Sequence, residues 1–291
     1  MRVAIFGATG MLGKALLRQW KDDDVIALGS AQADIRNPDQ VHAVLGQAKS
    51  DWTVLAAAYT DVDGCEINPT LASAVNTHGA VNVAKAAARV KSKLLFLSTD
   101  YVFDGKKGSP YEITDERRPI NAYGKSKAEA EEKLTAILPD CCIVRTSWLF
   151  GPGGKCFPDT ILRIAETRKE LEVVNDQRGC PSYTLDLADA IAKLCRLGAE
   201  GIIHCTNSGD CTWFDFAKEI ICNAGLSTTV KPTTSDKYVR PAERPKYSAL
   251  SSASLNQYGI EMRSWQQTLP DYLAERSRSN AEIASSLSNR A

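Results

Sequence analysis

The sequence predicts an α/β protein built on a doubly wound parallel sheet, with a smaller, discontinuous second region lying over the sheet's carboxyl edge. Three observations lead there. Short apolar runs of the buried parallel-strand type alternate with helical segments five times over. The first of these runs passes directly through a glycine-rich turn into a helix. From Ser147 onward the regular alternation gives way to a stretch rich in glycine, proline and loops.

Val3-Ala-Ile-Phe6 is the first apolar run, followed at once by Gly7-Ala-Thr-Gly10-Met-Leu-Gly13 and a helical pattern through Trp20. Glycines there permit a tight turn and close backbone approach, and the free N–H groups at a helix start suit a pyrophosphate. The spacing is G-x-x-G-x-x-G rather than G-x-G-x-x-G, so its position between strand and helix carries the inference. Asp24–Leu28 reads as the second strand, whose end should face the adenosine ribose of a dinucleotide. A carboxylate there would select a free 2′-hydroxyl. Gly29 and Ser30 stand there instead, leaving room for a 2′-phosphate, with Arg36 the nearest cation. Asp34-Ile35 follow, and Asp34 either flanks the adenine or caps the helix that begins near Pro38.

Trp52–Ala58 reads as the third strand, ending in small residues, Ala57 and Ala58, that let a ligand lie close to the backbone, with Tyr59-Thr60 just beyond. Glu66–Val90 is a long Ala-rich helical stretch carrying Asn76. Leu94–Leu97 is a fourth strand ending in Ser98-Thr-Asp-Tyr101, at the edge where open α/β sheets place their ligands. After the polar loop closed by Arg117-Arg-Pro119, a helix over Asn121–Leu138 carries Tyr123 and Lys127 four apart, on one face. A cation beside a phenol pulls its pKa down from about 10, which makes the pair a proton-transfer device. Cys141–Arg145 is the fifth strand. Residues 1–146 form a dinucleotide-binding domain to which parts of 183–205 return, through a helix over Thr184–Arg196 and a strand over Ile202–Cys205. Residues 147–182 and 206–276, with a helix over Thr212–Asn223, form the second region, and 277–291 reads as a flexible tail.

Composition narrows the function. The 291 residues are 44% hydrophobic and 24% charged, enough to bury a sizeable core. Lys+Arg and Asp+Glu both number 35, so net charge gives no reason to expect nucleic acid or an anionic membrane. Nine scattered cysteines with no CxxC pair point to reduced thiols in the cytoplasm, and no apolar run approaches the roughly 20 residues of a membrane span. The three histidines are far apart and make no metal motif.

The turn Gly7/Gly10/Gly13, the strand end Ser98-Thr99-Asp100-Tyr101 and the Tyr123-x-x-x-Lys127 helix, in that order, resemble the extended short-chain dehydrogenase/reductase family, with its Rossmann-type fold. Ala57-Ala58-Tyr59-Thr60-Asp-Val-Asp63, Ser98-Thr-Asp-Tyr-Val-Phe103, Arg145-Thr-Ser-Trp148, Asn175-Asp-Gln-Arg-Gly-Cys-Pro181 and Arg244-Pro245 are similar to one branch of it, the dTDP-4-dehydrorhamnose reductases, over about residues 1 to 275.

That resemblance implies NADPH as cofactor, with NADH also admissible, and reduction of the 4-keto group of a nucleotide-linked deoxysugar for cell-surface polysaccharide. It makes Thr99, Tyr123 and Lys127 the catalytic set. Gly7, Gly10, Met11, Leu12, Gly13, Asp34, Ile35, Ala57, Ala58 and Thr60 would line the cofactor together with Tyr123 and Lys127. Thr99, Asp100 and Trp148 would touch the sugar nucleotide; Trp148 either stacks on a sugar or base or fills a core. Lys127 would lower the Tyr123 pKa, and Thr99 would hydrogen-bond the carbonyl oxygen. Some family members place a glutamate just after the third glycine in a metal-linked dimer. Ala15 stands there, so no metal is expected, and a homodimer stays open. Two alternatives remain: another extended reductase or epimerase on a different nucleotide sugar, and a non-catalytic regulatory subunit on the same fold.

Overall fold

Strand β1 (Arg2–Phe6) leads through the glycine turn into α1 (Met11–Gln19), then β2 (Asp24–Leu28), α2 (Pro38–Ala48) and β3 (Trp52–Leu55). The computed structural model describes residues 1–288, with side chains through residue 278. After β3 come α3 (Val62–Ile67), α4 (Pro69–Ala72), a π-helical turn (Ser73–Gly79), α5 (Ala80–Val90), β4 (Lys93–Thr99), α6 (Ala122–Ile137) and β5 (Cys142–Thr146). The chain then forms β6 (Leu149–Phe150), α7 (Phe157–Ala165), β7 (Glu170–Val174), β8 (Arg178–Gly179) and β9 (Ser182–Tyr183). It continues through α8 (Thr184–Leu197), β10 (Gly201–His204), β11 (Cys211–Thr212), α9 (Trp213–Asn223), β12 (Thr229–Thr233), α10 (Ala253–Asn256) and α11 (Trp265–Ser288).

Six strands make the central sheet in the order β10-β5-β4-β3-β1-β2, and every neighbouring pair is parallel. Alternation along β1 shows why both faces are covered. Val3 and Ile5 join Leu16 of α1 and Leu187, Ile191 and Leu194 of α8 on one side. Ala4 and Phe6 join Leu45 of α2, Val83 of α5 and Leu134 of α6 on the other. A third cluster, with Phe150, Leu162, Phe216, Ile220, Trp265 and Tyr272, packs α7, α9 and α11 around β7. Because β1 pairs with both β2 and β3, strand order reverses at the carboxyl end of β1, the place where such sheets bind ligands.

Three local expectations change. The long helix read over Glu66–Val90 is interrupted: Pro69 has no N–H to continue α3, and the Asn68 side chain accepts from Leu71 N at 3.0 Å to start a new turn. The third strand ends at Leu55, and Ala56–Thr60 is irregular. The stretch after Arg276, expected as a tail, continues α11 through Ser288. Just before it the helix is held by Arg18 on Glu275 at 2.9 Å and Arg276 on Asp159 at 3.1 Å. Residues 289–291 of that expected tail lie outside the described residues.

Candidate active site

Gly7 has φ +86°, and a Cβ there would lie 2.6 Å from Ala57 N, so only glycine lets the β1 turn sit against the segment leaving β3. Gly10 caps α1 without a side-chain hydrogen bond, and no acidic residue occupies the first turn. The unpaired N–H groups and the positive end of the helix dipole therefore remain for an anion. This cradle suits a dinucleotide diphosphate in charge and shape; Met11, Leu12 and Gly13 form the first turn of α1 behind it.

Beyond β2, Gly29 N donates to Gln32 Oε1 at 3.0 Å. Arg36 donates from Nε and Nη2 to Asp34, at 3.0 and 2.6 Å. The hydrogen bonds from Arg36 hold the Asp34 carboxyl below its ordinary pKa. Both residues are thus turned to each other. Ile35 is 6% exposed, and a Cβ on Gly79 would reach its Cδ1 at 2.8 Å. Ala58 is half-buried and Thr60 exposed in the segment beyond Ala57. Asn76, turned inward by the π-helical turn, accepts from Tyr59 N at 2.8 Å and donates to Tyr59 O and to Ser126 Oγ, each at 3.0 Å. Ser126 in turn donates to Tyr123 O at 2.7 Å, so Asn76 joins the β3 side of the cleft to α6.

Helix α6 starts at Asn121, which accepts from Gly124 N at 2.8 Å and donates to Glu243 O at 2.8 Å. A Cβ on Gly124 would lie 2.1 Å from Tyr101 O, so glycine is what lets α6 close on the end of β4. The Tyr123 and Tyr101 rings then meet edge to face, centroids 6.0 Å apart. Burial pushes the Tyr123 phenol above its ordinary pKa, opposed by the Thr99 side chain.

Lys127 is 2% exposed; its Nζ donates to Leu97 O at 2.6 Å and lies 3.9 Å from the Phe96 ring centroid. Burial lowers its pKa to about 7, against the pull of Glu131. The expectation that Lys127 draws the phenol's pKa down therefore differs from what is found. Its ammonium is turned to the β4 backbone, and desolvation of the phenol outweighs the influences that favour phenolate.

Thr99 and Asp100 close β4. Thr99 Oγ1 donates to Asp100 Oδ1 at 3.0 Å and Ser248 Oγ donates to Asp100 Oδ2 at 2.5 Å. Asp100 is 2% exposed. Trp148 follows β5 with φ +45°. Its indole stacks on Trp213 with centroids 3.5 Å apart and 7° between planes. The ring packs at the edge of the third cluster and remains half-buried.

Residues 1–278 match the family model described as RmlD substrate binding domain. The chain belongs to that family. It is 41% identical over 278 residues to the spore coat polysaccharide biosynthesis protein SpsK of Bacillus subtilis, covering 95% of this chain and 98% of that one. It is 40% identical to a dTDP-4-dehydrorhamnose reductase of Mycolicibacterium smegmatis, covering 94% and 85%. The crystal structure of the dTDP-4-dehydrorhamnose reductase of Bacillus anthracis in complex with NADP superposes with a TM-score of 0.92 at 38% identity, covering 94% of this chain and 99% of that one.

In this RmlD-family chain the sequence singled out Tyr123, Lys127 and Thr99 but passed over Gly124, Glu131 and Ser248. Glu131 was legible in part, standing one turn beyond Lys127. Gly124 and Ser248 act through contacts with the end of β4, which no local pattern announces. Among the described residues no group of three or more His, Cys, Asp or Glu side chains is placed to hold a metal ion. Ala15 lies in the core at 3% exposure.

Proposed function

We propose that this chain reduces the 4-keto group of dTDP-4-dehydro-L-rhamnose to give dTDP-L-rhamnose, with NADPH as the reductant. The observation that carries this reading is the meeting of Thr99, Tyr123 and Lys127 at the carboxyl end of β4, beside the glycine cradle, in a chain of this family. Bound NADPH supplies a hydride to the carbonyl carbon. Tyr123 gives its phenolic proton to the oxygen that becomes an alkoxide, and its half-buried position makes that charge costly to leave unprotonated. Thr99 hydrogen-bonds the same oxygen, and Lys127 binds the nicotinamide ribose and steadies the phenolate left by the transfer until a proton from solvent restores the phenol. Gly10, Met11 and Leu12 hold the diphosphate, while Ala57, Ala58 and Thr60 flank the nicotinamide side.

The end of β2 supports NADPH over NADH, since Gly29 offers no carboxylate to repel a 2′-phosphate. The NADP bound by the Bacillus anthracis relative points the same way. The SpsK relative supports a place in polysaccharide synthesis. No helix among the described residues is long and apolar enough to cross a membrane, and all nine cysteines are free; both fit a cytoplasmic enzyme. We read residues 1–146 with 183–205 as the cofactor domain and 147–182 with 206–276 as the substrate region, Trp148 standing at their junction against the sugar.

Purified protein should oxidise NADPH when dTDP-4-dehydro-L-rhamnose is added, one equivalent per dTDP-L-rhamnose formed. Oxidation with a different nucleotide keto-sugar but not with this one would move the chain to another reductase. Sugar interconversion without net NADPH loss would make it an epimerase, and silence with every keto-sugar would revive a regulatory role.

A further inference from the structure

Ser248 reaches the end of β4 from a loop 148 residues further along the chain. Its N–H donates to Arg178 O at 2.8 Å, which anchors the loop on β8. Its hydroxyl donates to Asp100 Oδ2 at 2.5 Å, while Thr99 Oγ1 donates to Oδ1 at 3.0 Å and accepts from Tyr101 N at 3.2 Å. Ser248, Asp100 and Thr99 are 2, 2 and 5% exposed.

A carboxylate can only accept. While Asp100 is ionised, the single proton of Thr99 is committed to it, and Thr99 has none left for a ketone oxygen. With a proton on Oδ1, Asp100 donates to Thr99 instead, and the Thr99 hydroxyl is free to donate outward. The surroundings favour the neutral acid. Tyr101 and Tyr123 face Asp100 from the β4 end and from α6, and Cys180 from the loop before β9, each an uncharged acid whose own pKa burial raises. Arg244 is felt at Tyr101. Burial pushes Asp100 up to about 7, and the bonds from Ser248 and Thr99 pull the other way.

We propose that Ser248 is a positioning residue for the reduction: by holding Oδ2 of Asp100 it keeps Oδ1 on Thr99, so that protonated Asp100 makes Thr99 a hydrogen-bond donor to the substrate carbonyl. The Asp100 proton stays on Asp100 throughout; the proton that ends on the product alcohol comes from Tyr123 and the hydride from NADPH. This role rests on the reductase reading above.

The test is kcat and KM as a function of pH for the full chain, Ser248→Ala and Asp100→Asn, with NADPH affinity and melting temperature recorded alongside. Ser248→Ala should lower kcat about tenfold, the loss of one well-placed hydrogen bond that fixes the Asp100 carboxyl, and leave NADPH affinity unchanged. It should also move the alkaline fall of kcat to higher pH, because the Ser248 bond stabilises the carboxylate. In Asp100→Asn the amide donates to Thr99 at every pH, so the fall at the wild-type position should disappear. A Ser248→Ala protein with wild-type kcat and profile would overturn the role. So would a fall at the wild-type pH in both variants, which would assign it to Lys127, or an Asp100→Asn protein that binds NADPH but is inactive at every pH. A wild type silent with dTDP-4-dehydro-L-rhamnose removes the reductase reading and this role with it, whereas an active wild type with unmoved variants removes only the role.

Discussion

Glu131 of α6 and Arg145 of β5 form a fully buried ion pair, Nη2 to Oε2 at 2.7 Å and Nε to Oε1 at 2.9 Å, with side chains 0 and 1% exposed. Ser98 Oγ also donates to Glu131 Oε1, at 2.5 Å, and Arg117 reaches Oε2 at 3.4 Å. The helix that carries Tyr123 and Lys127 is thereby fixed to the two strands whose ends complete the site. Removing one partner strands the other's charge in the core, so Glu131→Ala should cost about 3–5 kcal/mol of stability. Urea unfolding measures this. A loss under 1 kcal/mol would mean that water or Arg117 replaces the pair.

Tyr123→Phe keeps the ring, its edge contact with Tyr101 and the fold, and removes only the proton donor. Reduction should fall by about 10²–10⁴-fold with NADPH affinity within a few-fold of wild type. Single-turnover hydride transfer separates the two quantities, and a rate close to wild type would leave Thr99 or water as the acid.

Lys127→Met should abolish turnover and raise stability. The ammonium is 2% exposed, and its folded pKa of about 7 lies below its ordinary value of 10.5. Between those values the unfolded chain binds more protons, so wild-type stability rises with pH through that window. The melting-temperature advantage of Lys127→Met should therefore be largest below about pH 7 and shrink as the pH is raised toward 10.5. A gap that stays constant over that range would mean Lys127 is not the group being desolvated.

Gly29→Asp should shift the ratio of kcat/KM toward NADH by setting a carboxylate where the ribose 2′-position is read. A Cβ there meets Thr9 Cγ2 at 2.9 Å and Gln32 Oε1 at 3.0 Å, both ends of side chains that can turn aside. Folding should survive the change. An unchanged ratio in a folded protein would place the reading of the 2′-position elsewhere.

What the sequence could tell follows the range of each interaction. Strand β1, the glycine turn and α1 are written within about twenty consecutive residues, and the spacing of Tyr123 and Lys127 lies within one helical turn, so both were legible. The apolar run Val3–Phe6 announced a strand covered on both faces, but not which helices cover them. The break at Asn68-Pro69 was legible in principle, since proline after a capping residue signals a restart, but alanine-rich flanks concealed it. Other features join residues far apart in the chain: Ser248 on Asp100, Trp213 on Trp148, Asn121 on Glu243. Their partners come from different elements, and nothing in the neighbourhood of either residue announces the other. The electrostatic sign at Tyr123 was missed for a related reason, because helical spacing fixes a shared face but not how deeply that face is buried.

The late arrival of β10 bears on how the chain is made. Strand β5 pairs with β4 on one side and β10 on the other, yet β6 through α8 are synthesised before Gly201 appears. At about 5–20 residues per second, the roughly 54 residues between Thr146 and Gly201 keep one edge of β5 open on the ribosome for on the order of 3–11 s. That edge belongs to Cys142-Ile-Val-Arg-Thr146, a short apolar strand of the type that recruits other edges. Nascent chains arrested just before Gly201 should be captured by a trigger-type chaperone or cut by protease near β5. Chains released beyond Cys205 should resist both, and equal sensitivity of the two would show that α8 alone shields the edge.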